Sequence, residues 1–121
     1  KRQSLLIQVF ENLLNNAFEA LNLSEKSFIK LSTKFIYGET IKIPNIKENK
    51  KKNYMLIKIE DNGSGIKKNE LSKIFLPFFS TKKRGSGIGL YLVKRIINLH
   101  DGQISVNCTD NITSFRIKLP L

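Results

Sequence analysis

The chain has 121 residues, enough for one domain with a buried core. Its single cysteine, Cys108, excludes a disulfide framework and a cysteine-based zinc site, and no apolar run approaches the ~20 residues of a membrane span. The net charge of +11 raises nucleic acid as a partner, but the chain is Lys-, Asn- and Ile-rich throughout and its charge concentrates at residues 47–52, a solvated loop by composition, so nucleic acid is not expected.

In chain order, Leu5, Leu6, Val9, Phe10, Leu13, Leu14, Ala17 and Leu21 recur at helical spacing and predict an amphipathic helix over residues 3–21. Ile29, Leu31, Thr33 and Phe35 alternate with polar residues, the pattern of a half-buried strand. Residues 38–53 carry Gly, Pro, Asn and Lys and read as a long exposed loop. Met55, Ile57 and Ile59 alternate with Lys58 and Glu60 in a second strand, which Asp61-Asn62-Gly63 ends with a turn. Residues 62–86 are irregular, with one short helix expected over 70–74; a connection this long is usually functional. Residues 88–99 form a second helix, apolar over a wide arc. Two more alternating strands, 104–108 and 115–119, close the chain before Pro120. Strand pairs with short connections argue for an antiparallel or mixed sheet with helices on one face.

Four groups of residues can carry chemistry. Asn12 and Asn16 lie four apart on one helix face, flanked by Asn15 and Glu19. An Asn amide oxygen suits Mg²⁺, which prefers oxygen ligands and keeps several waters when it binds a triphosphate; a polar outer face is the plain alternative. Asp61 shares a strand face with Ile57 and Ile59, so its carboxylate points into the layer between sheet and helices and needs a donor, such as an exocyclic amine. Gly63 and Gly65 let the backbone turn or approach a ligand, although an ordinary β-turn fits equally. Gly85-Ser86-Gly87-Ile88-Gly89 opens the second helix, where free N–H groups and the helix dipole favour an anion, and Lys82, Lys83 and Arg84 precede it. The spacing is neither a Rossmann fingerprint nor a Walker A loop. Ile74-Phe75-Leu76-Pro77-Phe78-Phe79 gathers aromatics that pin the irregular segment or form a lid over a ligand. His100-Asp101-Gly102 reads as a helix C-terminus with Gly102 at positive φ, and Cys108 as a small buried hydrophobe.

In one order along nearly the whole chain, these pieces resemble the boxes of sensor histidine kinases. Asn12-Leu13-Leu14-Asn15-Asn16-Ala17 is similar to their N box, Asp61-Asn62-Gly63-Ser64-Gly65 to the G1 box, Ile74-Phe75-Leu76-Pro77-Phe78 to the F box, and Gly85-Ser86-Gly87-Ile88-Gly89-Leu90 to the G2 box. Asn16-Ala17-Phe18-Glu19-Ala20 and Phe79-Ser80-Thr81-Lys82 look like the nitrogen-regulation (NtrB-type) branch. The resemblance implies an α+β Bergerat (GHKL) fold, a two-layer α/β sandwich with a mixed sheet whose first strand would precede Lys1. Without a leading Met, the chain is expected to be a fragment, residues 1–121 forming one catalytic domain.

The resemblance also implies ATP and Mg²⁺ as cofactors. Asn16 would be the Mg²⁺ ligand with Asn12 near the phosphates, and Asp61 would take the adenine amine beside Gly63, Gly65 and Ile66. Phe75, Lys82, Gly85, Ser86, Gly87, Gly89 and Leu90 would border the nucleotide. The implied reaction passes the γ-phosphate to a histidine on a separate dimerisation domain, for relay to a response-regulator receiver. Asn12 stands where ATP-hydrolysing members of the superfamily carry a water-activating Glu, so little hydrolysis is expected; Glu11 beside it fits a base toward the acceptor histidine and equally a surface residue. The protein would be cytoplasmic, homodimeric in full and monomeric as this piece. Departures are Glu19, where many members carry Lys or Arg, Asp101 in place of Gly, and Asp110-Asn111-Ile112, which lacks the usual Gly.

Overall fold

The computed structural model describes residues 2–22, 24–41, 50–79 and 89–121. Its elements run α1 (Arg2–Ala20), β1 (Ile29–Ile41), β2 (Lys50–Asp61), α2 (Gly89–Leu99), β3 (Gln103–Thr109) and β4 (Ile112–Pro120). The four strands form one sheet in the order β1-β2-β4-β3. All three pairings among the described strands are antiparallel; the mixed sheet that the resemblance implies includes a strand before Lys1. Two of them join sequence neighbours, which short hairpin connections permit only in antiparallel sense.

Side-chain alternation gives the sheet two unlike faces. On one, the rows Ile57–Ile117–Ile104, Ile59–Phe115–Val106 and Asp61–Thr113–Cys108 lie in register across β2, β4 and β3. The helices cover this face. Val9, Leu13 and Ala17 of α1 and Val93, Ile96 and Ile97 of α2 are buried with Ile57, Ile59, Phe115 and Ile117 in a single core. Leu14, expected on the apolar stripe, is exposed with Ile7 and Phe18 on the flank of α1. α1 lies over β2 and against α2, and α2 reaches β3. Neither helix packs broadly on β1, so Leu31 and Phe35 are exposed although their alternation is that of a half-buried strand. Alternation reports which residues share a face, not whether another layer reaches it.

Three local expectations change. The described flanks of the loop expected over residues 38–53 are sheet: Glu39↔Lys52, Thr40↔Lys51 and Ile41↔Lys50 continue the β1–β2 ladder beyond a shift between Ile36 and Glu39. Gly38, at φ 68°, takes up that irregularity. Residues 42–49 lie outside the described residues. The helix expected over 70–74 is instead a run of turns, with Glu70 and Leu71 N–H donating to Lys67 O and Lys73 N–H to Glu70 O. β4 runs on through Pro120, opposite Tyr54, instead of ending before it.

The end of α2 is a Schellman cap. Gly102 N–H donates to Ile97 O at 2.9 Å and Asp101 N–H to Asn98 O at 3.0 Å. The left-handed residue is Asp101 (φ 57°), not Gly102 as expected. Gly102 is needed for space, since a Cβ there would lie 2.6 Å from Lys118 O. His100 Nδ1 donates to Ile96 O at 2.8 Å and completes the cap. Between β3 and β4, Asp110 (φ 54°) and Asn111 (φ 64°) make the two-residue turn, two residue types that tolerate the left-handed region, so the missing Gly is not required.

Candidate functional site

Asp61 ends β2 on the helix-facing side, and the alternation that buries Ile57 and Ile59 buries it too: it is 3% exposed. Gly63 N–H donates to its Oδ1 at 2.9 Å. Burial raises the Asp61 carboxyl above its ordinary value of 3.8, while the Gly63 N–H pulls the other way. A buried carboxylate with about four acceptor sites has room for further donors.

The turn after Asp61 is held against α1. Ser64 N–H donates to Ala20 O at 2.8 Å, capping the helix that carries both asparagines. A Cβ on Gly63 would lie 2.3 Å from Ala20 O, so this glycine is required by the approach of the helix. Gly65 is required by its φ of 77° and sits beside Cys108 and Thr113. Asn62 accepts from Phe28 N–H at 2.9 Å and donates to Lys26 O at 2.7 Å, tying the turn to the entry of β1. Two connections and one helix end therefore converge on the carboxylate.

Asn12 and Asn16 are half-buried on α1, and Glu11 is exposed. Asn12 Nδ2 donates to Gln8 O at 2.9 Å, which leaves Oδ1 turned toward the start of α2: a Cβ on Gly89 would lie 3.0 Å from it. The structure thus brings the asparagine pair, the start of α2 and the Asp61 turn around the same helix. Ile66 and Leu90 are partly buried against the core. Phe75 is also packed inward, edge-on to Phe115 with ring centroids 6.3 Å apart and Lys94 Nζ 5.3 Å over its ring. Ile74 is buried, whereas Leu76 and Phe78 are exposed and Phe78 takes φ 67°. Pinning and projection are both present in the aromatic segment. Lys82, Gly85, Ser86 and Gly87 lie outside the described residues.

Thr113 was not singled out in the sequence. It is 4% exposed, directly opposite Asp61, and its Oγ1 lies 3.6 Å from Cys108 Sγ. Its signal was available: Thr113, Phe115 and Ile117 alternate on one face, and only Thr113 is polar. Cys108 is half-buried beside Gly65, not a core residue. Among the described residues, no group of three or more His, Cys, Asp or Glu can hold a metal.

A two-layer α+β domain with a buried strand-end carboxylate, a glycine turn docked on an amide-bearing helix and a second helix opening beside those amides defines a nucleotide-site architecture. The chain belongs to the family of histidine kinase-, DNA gyrase B- and HSP90-like ATPases, whose pattern it matches over residues 1–121. It is of the sensor histidine kinase type and NtrB-like. It is 39% identical over 116 residues to the sensory histidine kinase/phosphatase NtrB of Rhodobacter capsulatus, covering 96% of this chain and 32% of that protein. It is 40% identical over 104 residues to the signal transduction histidine-protein kinase AtoS of Escherichia coli, covering 86% of this chain and 14% of that one. The chain therefore spans about a third or less of the curated relatives it matches. Among solved structures, the catalytic domain of histidine kinase ThkA aligns with TM-score 0.74 and 29% identity, over 97% of this chain and 66% of that one.

Proposed function

We propose that this domain binds Mg²⁺-ATP and donates its γ-phosphate to a histidine on a separate dimerisation domain, for relay to a response-regulator receiver. On this reading the domain works in cytoplasmic nitrogen signalling, a reading that rests on its likeness to NtrB proteins. The observation that carries the reading is Asp61, a buried carboxylate aimed between the layers and fixed by Gly63, as recognition of an exocyclic amine requires.

In this reading Asp61 accepts from the adenine amine, with Gly65 and Thr113 beside the base. Asn12 and Asn16 would face the phosphates, and the Asn16 amide oxygen would hold Mg²⁺, which would supply charge neutralisation there. Lys82, Gly85, Ser86 and Gly87 complete the phosphate side on the strength of the family resemblance. Transfer breaks the bond from the γ-phosphorus to the ADP oxygen and forms a bond to an imidazole nitrogen, a reaction that depends on positioning and charge neutralisation. Asn12, one turn before Asn16, is an amide without basicity, so water is not activated there. In this reading Glu11, exposed beside Asn12, serves as base toward the incoming histidine.

Calorimetry with Mg²⁺-ATP tests the site. Micromolar-range binding is expected for the parent chain. It should weaken by about 2 kcal/mol or more in Asp61→Asn, where an amide N–H₂ confronts the amine donor, and lose its Mg²⁺ dependence in Asn16→Ala. Asp61→Asn binding as tightly as the parent removes the proposal. So does a steady ATPase turnover that survives Asn12→Ala and disappears in Glu11→Ala.

A further inference from the structure

The sheet has a second face, turned away from the helices, and its charge is one-sided. Side-chain alternation places three rows there, in register across β1, β2, β4 and β3: Lys30–Glu60–Ser114–Asn107, Ser32–Lys58–Arg116–Ser105 and Lys34–Leu56–Lys118–Gln103. The rows hold five cations and a single carboxylate, Glu60, which lies 3.9 Å from Lys58 Nζ. Lys30, Lys34 and Arg116 are exposed. With strands ~4.8 Å apart and alternate residues ~6.8 Å apart, the five cations fall within about 10 by 14 Å. That is close to the screening length at physiological salt, about 8 Å, so they act together on a negative surface.

This excess does not depend on what adjoins the sheet. A further strand would join at an edge, beside the rows and not over them. A neutral or apolar layer laid on the face would strip water from the cations, a cost that only opposite charge offsets. A second copy of this chain would set the same cations against one another. The fitting occupant is therefore negative.

Three features select a membrane among negative partners. The next row is Ile36–Tyr54–Pro120, and its Tyr54 is the only ring on this face among the described residues. It is 8% exposed, with Lys118 Nζ 5.3 Å over it, so nucleic acid bases find no platform to stack on. Four of the five cations are lysines, mobile point charges that attract negative charge without fixing its geometry, whereas recognition of a particular carboxylate or phosphate favours the arginine fork. The cations are also spread over an area instead of along a line, which matches a plane of headgroups better than a strand of phosphates.

We infer that this face is a peripheral docking surface for an anionic lipid bilayer, held by electrostatic attraction with nothing inserted into the hydrocarbon. Each basic residue close to such a surface strengthens binding about fivefold. Docking here does not rest on the nucleotide reading, because Asp61 lies on the other face of the sheet, beneath the helices, and stays clear of the bilayer.

The test co-sediments the chain with vesicles of equal parts phosphatidylcholine and phosphatidylglycerol. Expected is binding that falls steeply with salt and is absent from pure phosphatidylcholine. Reversing two exposed cations of the face, Lys34→Glu with Arg116→Glu, should weaken it at least about tenfold. Lys68→Glu with Lys73→Glu makes the same change in net charge on the exposed turns after β2, and should weaken it by less than about threefold. Thermal unfolding of both double variants reports that they are folded. Equal losses in the two overturn the proposal in favour of attraction by net charge alone, and an absence of binding to the anionic vesicles overturns it outright. Release from the vesicles by polyglutamate or single-stranded DNA, at a charge concentration far below that of the lipid, overturns it in favour of that class of partner.

Discussion

Asp61 is held where its charge is unfavourable unless a donor arrives. Because burial raises its folded-state value above the ordinary 3.8, the stability it contributes is present below that value and lost as pH rises through the folded value. Asp61→Asn removes this loss. Denaturant unfolding without nucleotide should therefore find the variant at least as stable as the parent at neutral pH, with the difference closing below about pH 3.8. A variant less stable than the parent at pH 7 would show that the carboxylate is already satisfied by the fold. The trade between stability and binding belongs to one side chain, and its place was readable: the strand alternation puts Asp61 inward in the sequence itself. Thr113 shares the row, yet its proximity to Asp61 depends on pairing between β2 and β4, which sequence neighbours do not encode.

At the scale of elements, the glycines divide by what demands them. Gly65 answers to backbone conformation, whereas Gly63 and Gly102 answer to an approaching chain. Gly102→Ala should destabilise the domain by about 1–3 kcal/mol, since its Cβ would meet Lys118 O and Leu119 Cδ2. Asp101→Gly, which relieves a left-handed non-glycine residue, should stabilise by about 0.5 kcal/mol. Chemical denaturation midpoints check both, and equal effects at the two positions would place the conformational demand wrongly. The sequence suggested the reverse assignment, because His-Asp-Gly looks the same whichever of its residues turns left-handed. Similarly, Glu39–Ile41 and Lys50–Lys52 belong to a stretch of loop composition, and pairing between them overrides it.

At the scale of the molecule, α1 connects fold and site. Its buried row Val9, Leu13 and Ala17 fixes it over the sheet, which sets the height of Asn12 and Asn16, and its C-terminal carbonyl receives the turn after Asp61. Nucleotide should therefore stabilise the whole domain. At about 100 times Kd, Mg²⁺-ATP is expected to add about 2.7 kcal/mol and raise the thermal midpoint by roughly 10 °C. The shift should fall to about a third or less in Asp61→Asn at the same nucleotide concentration. An undiminished shift there would locate binding elsewhere.

The sequence alone determined the order of elements, the inward face of each strand in the sheet and the ordered set of boxes. These are carried by local periodicity and by residue types at short spacing, and neither depends on which elements become neighbours. Tertiary structure decided the rest. It left the apolar face of β1 uncovered, placed Thr113 and Cys108 beside the Asp61 turn and turned Phe75 into the core. Each of these depends on the strand order β1-β2-β4-β3 and on where two helices settle across it. That choice is made by long-range burial, so no window of neighbouring residues contains it.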